Sequence, residues 1–318
     1  MTQWDEFYSH IKVKTVLTMK LPPAERILAN PAFVINLERN KNRYYYTKKL
    51  LQDAGFKNPV PFAAIDGVAS RDSEDEYDQR YRAVFGSFNL PGPRGGVGGG
   101  GQGGCSLSHL TLWSWCAIGK YAGMMIFEDD ALPRPDFKEI FPRYWNAIDQ
   151  DVDMVFLGNS LSKEDVDSIP DGQLIEYRSS MCTHAFFLTK QGARKLLHLW
   201  GERNHLRAGA DIGEPKGGGI FCIIDGFISE MINKGNISAA CMIGKAIPMK
   251  GEYNGFPWYG RSTGIVQQNA DLASDIHGFQ AAPMKYKDDH GHDIDEFHKP
   301  IDLDAALGIS KEEDSEDS

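Results

Sequence analysis

Cysteine is scarce in this chain: five residues, Cys105, Cys116, Cys182, Cys222 and Cys241, are scattered over 318 positions with no Cys-x-x-Cys pair. The odd count and wide spacing argue against a zinc knuckle or a disulfide framework and fit thiols buried as small apolar groups in a reducing compartment. Positive charge is also short. Against 44 acids there are 34 Lys and Arg, a net charge of -10, so the overall field repels nucleic acid and anionic membrane surfaces. No segment approaches the roughly 20 apolar residues of a membrane span. The opening MTQWDEFYSHIKVKTVLTMK breaks its apolar residues with acids and a histidine, unlike a signal peptide. These absences, with no C-terminal retention sequence, predict a soluble, cytoplasmic chain without a transmembrane segment.

What is present is enough for a large core: 42% of residues are hydrophobic and 11% aromatic. Apolar runs at Ala32–Leu37 and Pro61–Ile65 read as strands, and between them Tyr46, Leu50, Leu51 and Ala54 keep helical spacing up to a stop at Gly55. Further strands are expected at Asp153–Gly158 and His184–Thr189, the latter followed by a core-facing helix carrying Ala193, Leu196, Leu197 and Trp200. This alternation predicts an α/β fold, a mostly parallel sheet with helices on both faces in a single domain. An N-terminal extension (1–30) would precede that domain (31–280), and a polar, acidic, partly disordered tail (281–318) would follow it. His290, His292 and His298 in the tail read as solvated.

The tract Gly92–Gly104 is the most biased segment. Each glycine is entropically costly to order, so the tract is expected to be a mobile loop, not helix or strand. No lysine follows to complete a phosphate-binding P-loop. Directly after it, Leu107, Leu110, Trp113 and Ala117 share one helical face. Ser106 is placed as the N-cap, with Ser108 and His109 near the helix start, where backbone N–H groups favour an anion.

The chemistry concentrates in Met124–Ala131, where an apolar run ends in Glu128, Asp129 and Asp130. Strand ends that deliver carboxylates commonly hold a metal ion and a phosphorylated substrate. A carboxylate about 5 Å from a diphosphate charge is repelled by roughly 3 kcal/mol per charge pair at an effective dielectric near 20, so a cation must lie between them. The alternative is a solvated or capping acid run at a turn before Pro133. Asp225, in FCIIDGF, is a second acid at the end of an apolar run, or else a helix N-cap. Asp66 closes the second strand as an Asp-Gly turn or a ligand contact.

The segments FVINLERNKNR (33–43), AAIDG (63–67), GCSLSHLTLW (104–113), IFEDDA (126–131), THAFFLTKQGARKLL (183–197), the Asp225 run and SDIHG (274–278) occur in an order that resembles glycosyltransferase family 25. That resemblance implies a GT-A-type, Rossmann-like fold, a UDP-sugar donor, inversion at the anomeric carbon and a divalent metal, Mn²⁺ or Mg²⁺. It puts Asp130 on the metal, with Glu128 on the metal or ribose and His277 as a possible third ligand. Asn36, Leu37 and Arg39 would contact the uridine or phosphates with Arg43 nearby, Asp66 the base or ribose, Ser108 the nucleotide-sugar, and Asp129 the ribose or sugar. An inverting transfer needs a base opposite the leaving diphosphate, and Asp225 is the candidate. The expected function is hexosyl transfer, of galactose or glucose, to a glycan or other hydroxyl acceptor. A sugar-nucleotide hydrolase and a non-catalytic binding module are the alternatives.

Overall fold

Strand β1 (Pro31–Asn36) is buried at every position, the mark of a strand covered on both faces. Phe33 and Ile35 enter one hydrophobic cluster and Ala32 and Val34 the other, following the two-residue period of the strand. The computed structural model describes residues 20–66, 98–161, 168–170, 172–180, 182–208, 224–243 and 261–268, with the pairs 247–248, 252–253 and 256–257.

Beside β1 lie β2 (Asn58–Ala63) and β3 (Gly123–Glu128), both parallel to it. The sheet continues through β8 (Ala185–Thr189), β5 (Met154–Phe156), β9 (Ala239–Met242) and β7 (Ile175–Glu176), in the order β2-β1-β3-β8-β5-β9-β7. β8 runs antiparallel to both β3 and β5, and β7 antiparallel to β9. Five of the seven strands are therefore co-directional, and the architecture is a mixed α/β fold with a mostly parallel sheet.

One face carries α3 (Gly98–Ile118), α5 (Lys190–Ala208) and α6 (Ile224–Asn233) on the cluster around Trp113, Leu196 and Phe227. The other carries α1 (Ala24–Ala29), α2 (Lys41–Asp53) and α4 (Phe137–Asn146) on the cluster around Tyr44, Phe56 and Phe141. Residues of α1 are part of that second core: Ala24 and Ile27 are buried, and Trp145 Nε1 donates to the Pro22 carbonyl at 2.7 Å. In α2 the most buried positions are Tyr44, Tyr45, Thr47 and Leu51, with Tyr46 and Leu50 half-exposed. Gly55, at φ +99°, ends the helix in the left-handed conformation that favours glycine. Two short strands, β4 (Ala131–Pro133) and β14 (Val266–Gln268), pair antiparallel just beyond the end of β3.

Two expectations are overturned here. Gly98–Gly104 does not form a loop but the first two turns of α3; positions 92–97 lie outside the described residues. A helical glycine costs about 1 kcal/mol relative to alanine. Helix nucleation is the expensive step, however, and the packed segment from Leu107 onward lets the helix propagate backward at one hydrogen bond per residue. Ser106 is accordingly no N-cap, and Ser108 and His109 sit in the helix interior, all three buried. The second correction concerns Asp225, which lies not on a strand end but in the first turn of α6.

Candidate active site

The carboxyl ends of β1, β2 and β3 open on one rim of the sheet, where open α/β folds bind ligands. Because β8 is reversed, the residues preceding it, Thr183 and His184, arrive at the same rim: the Glu128 N–H donates to the His184 carbonyl at 2.9 Å.

Glu128 is the last residue of β3. Its Oε1 accepts from Thr183 Oγ1 at 2.8 Å and lies 3.4 Å from His109 Nε2. Burial opposes its charge, but His109, the Thr183 hydroxyl and His184 together hold its pKa below the ordinary carboxylate value. Asp130 shows the opposite balance. It is 5% exposed, and burial followed by the charge of Glu128 pushes its pKa up. One of its oxygens, Oδ2, accepts from Gln268 Nε2 at 2.8 Å, while Oδ1 is buried without a hydrogen-bond donor among the described residues. Of these two acids Glu128 favours the charge and Asp130 the proton.

Asp129 faces the other way. Its carboxylate accepts from Asn36 Nδ2 and from Arg43 Nη2, both at 2.5 Å, and its carbonyl accepts from Thr47 Oγ1 at 2.7 Å. Burial raises its pKa to about 7 against the pull of Arg43. These bonds tie the end of β3 to β1 and α2.

Asn36 also donates to the Asn40 carbonyl at 3.1 Å, and its Oδ1 is buried without a donor among the described residues. Leu37, half-buried, follows at the turn into the short 3-10 helix Glu38–Asn40. There Arg39 forms an ion pair with Asp66. The chain before Asp66 is clamped to α3, since Ser108 Oγ accepts from Ile65 N at 2.9 Å and donates to the Gly104 carbonyl at 2.7 Å. In α6, Asp225 Oδ1 accepts from the Gly226 N–H at 2.8 Å. Burial is the main cause of its raised pKa, and the charge of Glu128 adds to it, so Asp225 lies within electrostatic reach of the rim.

The fold thus brings Asn36, Leu37, Arg39, Asp66, Ser108, Glu128, Asp129, Asp130 and Asp225 to one region, whereas His277 lies outside the described residues. Thr183, His184 and Gln268 complete the surroundings of the acids without having been singled out from sequence. Thr183 and His184 carried a signal, as polar residues immediately before an apolar strand. Gln268 carried none.

The donor set fits a hard divalent cation. Glu128 and Asp130 offer oxygen ligands, and the buried Oδ1 of Asp130 is an acceptor left unsatisfied among the described residues.

Residues 29–206 match glycosyltransferase family 25 (LPS biosynthesis protein). The chain belongs to that family. It is 27% identical over 176 residues to procollagen galactosyltransferase 2 of Homo sapiens, covering 52% of this chain and 27% of that protein. With a glycosyltransferase 25 family member of Drosophila melanogaster it shares 24% identity over 209 residues, 60% of this chain and 30% of the other. A protein of Acanthamoeba polyphaga mimivirus that carries a glycosyltransferase name is 30% identical over 145 residues, 43% of this chain and 40% of its own length. The matched stretches span less than half the length of each of these relatives.

Proposed function

We propose that this chain is a metal-dependent, inverting hexosyltransferase on a GT-A-type domain, moving galactose or glucose from a UDP-sugar to a hydroxyl of a glycan or other acceptor. The observation that carries the reading is the open Oδ1 of Asp130 beside Glu128, on a rim shared with Arg39, Asp66 and Asp225. Family membership supports the reaction class.

In this reading Glu128 and Asp130 hold Mn²⁺ or Mg²⁺, with His277 as a third ligand. The ion supplies charge neutralisation to the departing diphosphate. Asn36 and Leu37, at the end of β1, line the nucleoside, and Arg39 exchanges its partner Asp66 for a phosphate, leaving Asp66 to the base or ribose. Asp129, whose oxygens are occupied by Asn36 and Arg43, acts as the brace that positions Asp130. Ser108 fixes the approach of the segment carrying Asp66. Asp225 takes the proton of the acceptor hydroxyl, a role favoured by burial that raises its proton affinity.

Among the described residues Cys105, Cys116, Cys182 and Cys241 are free thiols, and no helix there is long and apolar enough to cross a membrane. Free thiols agree with action in the cytoplasm, which we include in the proposal.

The test is to incubate the protein with UDP-galactose or UDP-glucose and Mn²⁺, with and without hydroxyl acceptors, and to measure UDP and free sugar. Acceptor-dependent UDP release abolished by chelation is expected. Stoichiometric free sugar without acceptor dependence would reassign the chain as a hydrolase, and absence of turnover across a broad panel of sugar nucleotides would remove the transfer reading.

A further inference from the structure

The structure holds a second donor set, of which the transfer reading uses only Glu128. Cys105 and His109 stand one helical turn apart on α3 and so share a face. That face meets the end of β3, where Cys105 Sγ, a ring nitrogen of His109 and a carboxylate oxygen of Glu128 all lie within 4.8 Å of one another.

We propose that Cys105, His109 and Glu128 form a binding site for a thiophilic divalent cation of the zinc and cadmium class, and that its occupation withdraws Glu128 from the acid pair it forms with Asp130. The His109 Nε2 to Glu128 Oε1 separation, 3.4 Å, is long for a hydrogen bond. Two ligands each about 2.0–2.2 Å from one tetrahedral ion stand about 3.3–3.5 Å apart. His109 is held in place by stacking on Phe186, with ring centroids 5.6 Å apart, and it is fully buried while Cys105 and Glu128 are half-buried. Access is therefore from the Cys105–Glu128 side.

The two donor sets sort cations by softness. Sulfur and imidazole nitrogen select zinc-class ions, whereas the oxygen ligands at Asp130 suit Mg²⁺ and Mn²⁺. Coordination replaces the Cys105 S–H proton with the ion, and that proton passes to solvent. Binding is independent of the transfer reading; only its inhibitory consequence rests on it.

The metal-free full chain is titrated with Cd²⁺ and followed by thiolate-to-cadmium charge-transfer absorption. One tight equivalent is expected, lost in Cys105→Ser, weakened about 10–100-fold or more in His109→Asn, and retained in Cys182→Ser. An unchanged equivalent in Cys105→Ser, or none in the wild-type chain, would overturn the proposal. Should Cys105→Ser fail to fold, alkylation of the wild-type chain read peptide by peptide decides: Zn²⁺ should protect Cys105, and unchanged labelling of Cys105 would overturn the site. Zn²⁺ should also suppress acceptor-dependent UDP release in the wild type but not in Cys105→Ser. Cadmium binding at Cys105 in a chain that turns over no sugar nucleotide would support this site while removing the transfer reading.

Discussion

Gln268 donates from Nε2 to Oδ2 of Asp130 at 2.8 Å, across a sequence separation of 138 residues. The pairing of β14 with β4 brings this about, since Gln268 stands opposite Ala131, the residue after Asp130. It fixes which carboxylate oxygen is left open.

In the proposed reading, replacing Gln268 by alanine should therefore weaken cation binding without disturbing Asn36 and Leu37 at the end of β1. We expect the Mn²⁺ concentration for half-maximal turnover to rise about 10–100-fold, the usual effect of losing a partner that orients a metal ligand. The KM for the sugar nucleotide at saturating Mn²⁺ should change little. A metal titration of UDP release measures both.

Asp225→Asn keeps the side-chain shape and removes the proposed proton acceptor. Donor binding, followed by calorimetry with the UDP-sugar, should be retained, while acceptor-dependent transfer falls by about 10²–10⁴, the range for loss of a general base. Unchanged turnover would show that the base lies elsewhere.

Asp129 and Arg43 form a buried ion pair, with side chains 12% and 9% exposed. Removing one partner leaves the other charge buried, so Asp129→Ala should cost about 3–5 kcal/mol of stability. The double change Arg43→Met with Asp129→Leu should cost less than the single one, because neither charge remains. Denaturant midpoints of the three chains give the comparison.

Gly158 admits no side chain. A Cβ there would fall on the Val266 carbonyl and 2.9 Å from His184 Nε2. Gly158→Ala should destabilise by about 1–3 kcal/mol and displace the strand that carries Gln268, so the metal requirement should rise along with the loss in melting temperature.

Burial raises the thiols of Cys116 and Cys241 to about 12. In the unfolded chain a thiol titrates near about 8.5. Between those values the folded state keeps protons that the unfolded state has released, so the contribution is fully present below about 8.5 and declines as pH rises toward 12, by about 1.4 kcal/mol per pH unit and thiol. Urea midpoints between pH 7 and 10 should therefore fall less steeply for Cys241→Ala than for the wild-type chain.

The strands that carry the site were legible because each is an apolar run closed by a chemical break: Asn36 at the end of β1, the acids beginning with the last residue of β3, and Thr189 and Lys190 at the end of β8. α5 was legible from Ala193, Leu196, Leu197 and Trp200, all buried on one face. The glycine half of α3 was not, because composition reports intrinsic cost and cannot register a helix already nucleated downstream. Asp225 misled for a related reason: a short apolar run has the same appearance in a buried strand and at the start of a buried helix. Asp129 differs from its two neighbours only in the direction its carboxylate faces, which depends on Asn36 and Arg43 some 90 positions away. Gln268 was hidden because a hydrogen bond to Asp130 across 138 positions leaves no local pattern.

The reversed strand β8 has a mechanical consequence. A parallel neighbour would have offered β3 its amino end only at the opposite rim, and Thr183 would have had to reach Glu128 along a connecting segment. With β8 antiparallel, the ladder that runs from Gly123–Thr189 to Phe127–Ala185 also sets the spacing between Glu128 and its hydroxyl partner. The backbone that carries the first acid is thus held by the sheet interior, whose strands open in the cooperative unfolding of the domain.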